Sequence, residues 1–214
     1  SKRASELSSE PQMEANIRTI LGKTYRSIRA YDQSQSELEK ALKLFDADSE
    51  IKEEALKELA LVHEALGNYL QAEPMLAVLL EEKTKELGED HELVIDAKID
   101  LSTVYRRIGK LEKAEDLCAS ALTQLRDQNR TSENPRMLKC MNELAKIFLS
   151  RDKVAQAESM GRSVFELSRL SLGEKNPLSL IRGQVLVEAL RKGGKLDEAE
   201  NLSMDLVSKL EDVL

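Results

Sequence analysis

Residues 101–114 read LSTVYRRIGKLEKA, and this segment carries the marks of a unit that recurs along the chain. A leucine is followed by a small residue, and an aromatic or similarly bulky residue stands four positions after the leucine. A small residue, here Ala114, stands 13 positions after it. Five segments follow this pattern, at steps of 38, 42, 43 and 42 residues, and their leucines are Leu21, Leu59, Leu101, Leu144 and Leu186. Small residues at two fixed offsets indicate two helices that cross closely in every unit, as in helix-pair repeat proteins.

Apolar residues at helical spacing begin near Met13 and continue to the end of the chain, with turn residues at regular intervals. They predict ten helices, in five pairs of a helix A and a helix B, near 13–28 and 32–45, 50–66 and 69–86, 92–108 and 111–126, 135–150 and 154–171, and 177–192 and 195–212. Residues 1–12 lack this periodicity and are predicted to be a flexible lead-in or linker. Residues 13–214 are predicted to be one array, with repeats near 13–47, 50–88, 92–130, 135–172 and 177–214.

Composition limits the classes of function. The 214 residues carry a net charge of −7, which argues against nucleic acid as a partner, because nucleic-acid binding usually needs a concentrated basic surface. The same charge argues against a membrane surface. No apolar run approaches the roughly 18 residues that span a bilayer, and no signal-peptide pattern opens the chain. The sequence therefore predicts a cytoplasmic protein.

No catalytic or metal-binding pattern is present. We find no Ser/His/Asp set, no glycine-rich phosphate loop and no zinc-ligand spacing, so we predict no enzyme activity, no cofactor and no metal. The motif leucines are predicted to be core residues, and so is His63, which occupies the position of the aromatic ring in its repeat. Cys118 and Cys140 are predicted to be reduced core thiols. Asn134 and Asn176 each precede a proline and are predicted to cap helices.

Two links between repeats match a known family. They read LGEDHE at 87–92 and LGEKNP at 172–177, and the phrase GNYLQAEP at 67–74 opens a helix B. The chain resembles the tetratricopeptide repeat superfamily, in the longer-period form found in kinesin light chains and many bacterial proteins. The resemblance implies an all-α, right-handed superhelical solenoid of five antiparallel helix pairs. It also implies a concave groove, lined by the A helices, that binds a peptide or a partner segment.

Groove positions carried over repeat by repeat give a candidate site of ten residues: Lys23, Arg26, Lys57, Leu61, Thr103, Arg106, Arg107, Asn142, Lys146 and Leu149. The site does not match the carboxylate clamp of chaperone-binding members, because Thr19, Glu58 and Asp100 stand where that clamp needs donors. We hypothesise that Arg106, Arg107 and Lys146 grip an acidic or phosphorylated segment, with Asn142 bonding its backbone. The alternative is a solvated surface whose arginines pair with Asp100 or Glu143.

The predicted function is therefore a non-enzymatic scaffold for a protein or peptide partner. An alternative is self-association, or a regulatory role inside a larger protein such as a bacterial kinase or transcription regulator, through the C-terminal edge. That edge is apolar, and no capping helix follows it in the sequence. Its apolar residues are Leu202, Leu206, Val207, Leu210, Val213 and Leu214.

Overall fold

The computed structural model describes residues 2–45, 50–128 and 134–211. Over these residues the chain has ten α-helices and no β-strand. Odd-numbered helices are the A helices of the repeats and even-numbered helices are the B helices. Their bounds are α1 (Lys2–Ser27), α2 (Tyr31–Leu44), α3 (Glu50–Ala65), α4 (Tyr69–Leu87), α5 (Glu92–Arg107), α6 (Leu111–Asp127), α7 (Pro135–Ser150), α8 (Val154–Leu172), α9 (Pro177–Lys192) and α10 (Leu196–Glu211).

The predicted helices are confirmed to within one residue at their ends, except at the start of α1. We expected that helix to begin near Met13, and this expectation is wrong, because α1 begins at Lys2. The first residues, KRASELSSE, include good helix formers without an apolar stripe. Apolar periodicity does not detect a helix of that kind. A role of residues 1–12 as a linker stays a prediction.

The turn from helix A to helix B is built in the same way in all five repeats. The carbonyl four residues after the motif leucine accepts a hydrogen bond from the backbone N–H five residues further on, at 2.7–2.9 Å. The residue before that N–H has a positive φ, as the Schellman helix ending requires. Glycine supplies it in three turns, whereas Arg29 and Asp152 adopt φ of 61° and 58° in the other two. The repeated turn therefore fixes how each pair of helices meets.

Side chains cap the N-termini of three of the A helices. His91 Nδ1 accepts the backbone N–H of Leu93 at 3.2 Å at the start of α5. Asn134 and Asn176 accept backbone N–H groups at 2.9 Å at the starts of α7 and α9. The predicted asparagine caps are confirmed, and each places its helix A at a defined register in the repeat.

The chain divides into two compact units, Ser1–Gly88 and Glu89–Leu214. The first contains α1 to α4, with a core that includes Leu38, Ala55, Leu59 and Val62. The second contains α5 to α10, with a larger core between α5, α6, α7 and α8 and a smaller one around α9 and α10.

Four of the five motif leucines are core residues, with exposures of 2–4 %. Leu21 is the exception, and our expectation that it is buried is wrong, because 41 % of it is exposed. The A helices α3, α7 and α9 each pack against the helix B that precedes them. Among the described residues no helix precedes α1, so the equivalent face of α1 stays uncovered and also exposes Ile17.

Two glycines inside helices differ in the space around them. At Gly161 an added Cβ would lie 3.4 Å from Leu186 Cα, which is an ordinary contact. At Gly183 it would lie 2.7 Å from Leu206 and 2.9 Å from Phe165. We expect Gly161→Ala to raise the free energy of unfolding by about 0.5–1 kcal/mol, because alanine favours the helix.

Gly183→Ala is the matched control for this prediction. It carries the same helix preference, but overpacking should lower the stability by about 1–3 kcal/mol. Urea denaturation measures both variants. If both variants changed the stability in the same direction, this account of the space around the two glycines would be contradicted.

His63 is buried at 6 % exposure in the ring position of its repeat, as predicted, and its Nδ1 has no hydrogen-bond partner among the described residues. Burial lowers the pKa of His63 below 6.5, and the charge of Glu39 opposes that shift. The unfolded chain therefore takes up a proton near pH 6.5 that the folded chain resists. Stability contributed by the neutral histidine is complete above that pH and is lost as the pH falls toward the folded pKa.

We accordingly expect His63→Phe to remove part of the acid sensitivity of the fold. The free energy of unfolding of the wild type should fall between pH 7.5 and 5.5, with a limiting slope of about 1.4 kcal/mol per pH unit for one proton. The variant should lose that contribution. Tyr25→Phe, at the same repeat position, is the control and should keep the wild-type slope. An unchanged slope in His63→Phe would refute the assignment.

Candidate functional site

One face of α7 carries three residues of the predicted site, Asn142, Lys146 and Leu149, together with Lys139. Lys139, Asn142, Lys146 and Leu149 are spaced by three or four residues, so they lie along one side of the helix. At the N-terminal end of this face the charges are neutralised. Lys139 Nζ lies 2.6 Å from Asp100 of α5, and Arg136 Nε lies 3.0 Å from Asp96. The C-terminal end is different, because cations predominate there.

At that end, the last turns of α5, α7 and α9 enclose a cleft of about 310 Å³. Three helices contribute to it, and four of its eight lining residues are cations. The lining residues are Arg106, Arg107, Lys146, Leu149, Ser150, Val185, Glu188 and Lys192. The structure thus brings four predicted residues together, namely Arg106, Arg107, Lys146 and Leu149.

A buried ion pair holds one wall of the cleft. Arg106 Nε donates to Glu143 Oε1 at 2.6 Å, and only 11 % and 6 % of the two side chains are exposed. Arg106 therefore pairs with Glu143, as the alternative interpretation of the sequence predicted. The pair uses Nε of the guanidinium and fixes the direction of its other nitrogens. Arg26 and Glu58 form the equivalent pair in the first unit, at 2.5 Å.

Lys146 is less well neutralised than Arg106. Its Nζ lies 3.8 Å from Glu143 Oε2, beyond hydrogen-bond distance, and a third of the side chain is exposed. Burial lowers the pKa of Lys146, and repulsion from Arg106 and Arg107 adds to this against the attraction of Glu143. Burial is therefore the main cost of the charge on this ammonium group, and an anion placed beside it would offset that cost.

Asn142 lies one turn before Lys146 and is half-buried. Its Oδ1 is shielded from solvent and accepts no hydrogen bond from the described residues. A buried acceptor without a donor costs free energy, so this atom is suited to a donor from a ligand, such as a backbone N–H. Thr103 of α5 instead donates its hydroxyl to Ile99 O at 3.2 Å.

The other four predicted residues lie in the first unit. Lys23 of α1 pairs with Glu54 of α3 at 2.6 Å, and Arg26 pairs with Glu58. Lys57 is exposed and Leu61 is half-buried, both on α3. The two basic residues of α1 thus join adjacent A helices.

The ten predicted site residues do not include Ser150, Val185, Glu188 and Lys192, which also line the cleft. Position in the repeat could have identified two of them. Lys192 and Ser150 stand six residues after their motif leucines, as the predicted Arg107 does. The Nζ of Lys192 donates to the Leu149 carbonyl at the end of α7, at 3.0 Å. The same carbonyl also accepts the backbone N–H of Asp152 at 3.3 Å, so the bond from Lys192 is an additional one, and it holds the ammonium group at the cleft.

Two further observations concern the described part of the chain. It contains no group of three or more His, Cys, Asp and Glu side chains placed to hold a metal ion. In the same residues, none of the helices has the length and apolar character needed to cross a membrane. The two cysteines are free and buried, as predicted.

Comparison with known proteins agrees with this architecture. Residues 52–127 match the family model of the tetratricopeptide repeat. A kinesin light chain-like protein of nearly identical repeats from Podosopora anserina superposes with a TM-score of 0.76 at 19 % identity, over 95 % of this chain and 97 % of that one. Together these findings confirm the prediction of an all-α repeat fold of the solenoid class. A search of curated proteins finds no match.

Two other similar structures are complexes. A Rap protein in complex with Competence and Sporulation Factor has a TM-score of 0.73 at 16 % identity, over 96 % of this chain and 57 % of that one. Bacillus thuringiensis PlcR, in complex with the peptide PapR7 and DNA, has a TM-score of 0.67 at 17 % identity, over 93 % and 70 %. At these identities the likeness concerns the fold alone.

Proposed function

Since this chain is a protein of the tetratricopeptide repeat superfamily, we propose that it works by binding a protein or peptide partner and catalyses no reaction itself. Tetratricopeptide repeats generally serve as interaction scaffolds. The observation that carries the proposal is the cleft at the ends of α5, α7 and α9. It combines cations from three helices with the apolar Leu149. The shielded acceptor of Asn142 lies outside this lining, one turn before Lys146 on α7.

The chemistry of the cleft favours an acidic or phosphorylated segment of the partner. Arg106 is held by Glu143 and can offer its remaining N–H groups, while Lys146 and Lys192 add two ammonium groups. Charge-assisted hydrogen bonds of this kind are about twice as strong as neutral ones. We propose that these groups bind the anion, that Asn142 accepts a backbone N–H of the same segment, and that Leu149 contacts an apolar side chain next to it.

The peptide complexes of similarly folded proteins support a peptide as the ligand class. The Rap conjugation gene regulator of the plasmid pLS20 is complexed with the Phr* peptide, and PlcR is complexed with the peptide PapR7; both are similar to this chain in fold. In the fold, side chains of several A helices lie side by side and can contact successive residues of an extended segment. The basic character of the cleft is inferred from the structure of this chain and not from the similar proteins.

Affinity capture from a native lysate tests the proposal. The bait is the whole chain, and the test variant is Lys146→Gln/Lys192→Gln, which removes two cations and leaves the buried Arg106–Glu143 pair in place. The control variant, Lys113→Gln/Arg126→Gln, removes two exposed cations from α6. A partner retained by the wild type and the control but lost from the test variant supports the proposal. A partner retained by all three contradicts it.

Self-association is a second candidate function, because α10 has an uncovered apolar face. Val207 and Leu210 are 54 % and 44 % exposed, whereas Leu206 is core and Leu202 is half-buried. The equivalent residues of the third repeat, Leu122 and Leu125, are buried at 5 % and 1 %. Val213 and Leu214, also predicted at this edge, lie outside the described residues.

If this face joins two copies, light scattering should show a mass that rises with concentration for the wild type and stays monomeric for Val207→Glu. Met204→Glu is the matched control, since Met204 is 57 % exposed at a repeat position that is exposed in the third and fourth repeats too. A wild type that remains monomeric at high concentration would exclude pairing through α10.

A further inference from the structure

The two cysteines of the chain meet where α6 crosses α7. Cys118 and Cys140 are both completely buried, and their Sγ atoms are 3.4 Å apart. Each thiol also lies against the backbone carbonyl of the other residue, at 3.3 Å for Cys118 Sγ and 3.1 Å for Cys140 Sγ. The thiols therefore face each other directly, with no other side chain between them.

Packing alone does not require this pair. In the first unit, the same two positions of the repeat are occupied by Leu38 and Ala55, which belong to one apolar cluster. A leucine and an alanine thus suffice where a helix B meets the next helix A. The pair of thiols adds chemistry that the apolar residues lack, because two sulfur atoms in contact can be joined.

We propose that Cys118 and Cys140 form a disulfide that links α6 to α7. The oxidant is a low-molecular-weight disulfide such as glutathione disulfide. The bond requires the Sγ atoms to approach from 3.4 Å to about 2.05 Å. Rotation about the side-chain bonds together with a small shift of the helices can supply that approach. The link would join the third repeat to the fourth.

The reaction balances as two thiol–disulfide exchanges. The thiolate of one cysteine attacks glutathione disulfide, forms a mixed disulfide and releases one glutathione. The thiolate of the other cysteine then attacks the protein sulfur of the mixed disulfide and releases the second glutathione. The protein loses two electrons and two thiol protons, and glutathione disulfide gains them as two molecules of glutathione.

Burial determines when the reaction can occur. Contact with Cys140 and burial raise the pKa of the Cys118 thiol, so the folded chain holds it in the unreactive thiol form. Exchange accordingly needs a brief opening between α6 and α7. Once formed, the disulfide would fix α7, the helix that also carries Glu143 and Lys146 of the cleft. The proposal does not depend on the binding function.

Equilibration of the whole chain in glutathione buffers, in water and in urea, tests the proposal. Alkylation of the remaining thiols and mass spectrometry measure the fraction with an intramolecular disulfide. If the fold presents the two sulfur atoms to each other, the effective concentration of the pair should be at least about tenfold higher in the native chain than in urea. An effective concentration in water equal to or below that in urea would overturn the proposal.

Single variants provide the control. Cys118→Ala and Cys140→Ala keep a small apolar residue at positions where the first unit has Leu38 and Ala55. Each can form only a mixed disulfide with glutathione. The oxidised wild type should melt several degrees above its reduced form, and the same treatment should not raise the melting temperature of either variant. Oxidation of the native wild type that yields only mixed disulfides would also overturn the proposal.

Discussion

Replacement of Glu143 by alanine should lower the free energy of unfolding by about 3–5 kcal/mol. The carboxylate is 6 % exposed and receives the Nε–H of Arg106, which is itself 11 % exposed. Without Glu143, the guanidinium would remain in a poorly hydrated position with no counter-charge. Loss of one member of a buried ion pair is far more costly than loss of an exposed one. Urea denaturation followed by circular dichroism measures the change.

Glu58→Ala is the matched control, because it removes the equivalent carboxylate in the first unit. Its partner Arg26 is 33 % exposed and can regain water, so the loss should be clearly smaller. The double variant Arg106→Met/Glu143→Met should recover most of the stability lost by Glu143→Ala, since no charge is then left buried. Equal, small losses for Glu143→Ala and Glu58→Ala would show that the Arg106–Glu143 pair is not the buried pair described here.

The second large effect concerns binding. Lys146→Gln/Lys192→Gln should weaken the affinity for the captured partner by at least about 100-fold, because it removes two charge-assisted hydrogen bonds that contribute roughly 1.5–3 kcal/mol each. The affinity of the wild type should also fall more steeply with salt than that of the variant, since the variant has fewer charges to screen. Isothermal titration calorimetry at two salt concentrations measures both effects.

The variant avoids Arg106 for a structural reason. Glutamate at that position would face the buried Glu143 and would destabilise the fold, so weaker binding could not be assigned to the ligand contact. Lys113→Gln/Arg126→Gln controls for the change in net charge and should bind like the wild type. A loss of affinity that is the same for both double variants would indicate a general effect of charge rather than a contact in the cleft.

The sequence predicts the helices well because each helix and turn rests on local signals. Apolar spacing marks the buried face of each helix, and Gly67, Gly109 and Gly194 mark turns that need a positive φ. Leu21 was placed wrongly for a non-local reason. It has the same local pattern as Leu59, but its burial depends on whether another helix covers α1.

The candidate site is predicted only in part. Position in the repeat places Arg106 and Lys146 together although 40 residues separate them in the chain. It does not distinguish an arginine that binds a ligand from one that pairs with Glu143, because both cases use the same residue types. The bond from Lys192 to the Leu149 carbonyl depends on side-chain rotamers that no pattern specifies.

Lysine footprinting of the captured complex tests the central claim, that the partner binds at the ends of α5, α7 and α9. Acylation of free and partner-bound chain, read by mass spectrometry, reports the accessibility of each ammonium group. We expect Lys146 and Lys192 to lose reactivity in the complex, while Lys113 of α6 and Lys85 of α4 react as in the free chain. Unchanged reactivity at Lys146 and Lys192, with protection on the B helices instead, would contradict the assignment of the site.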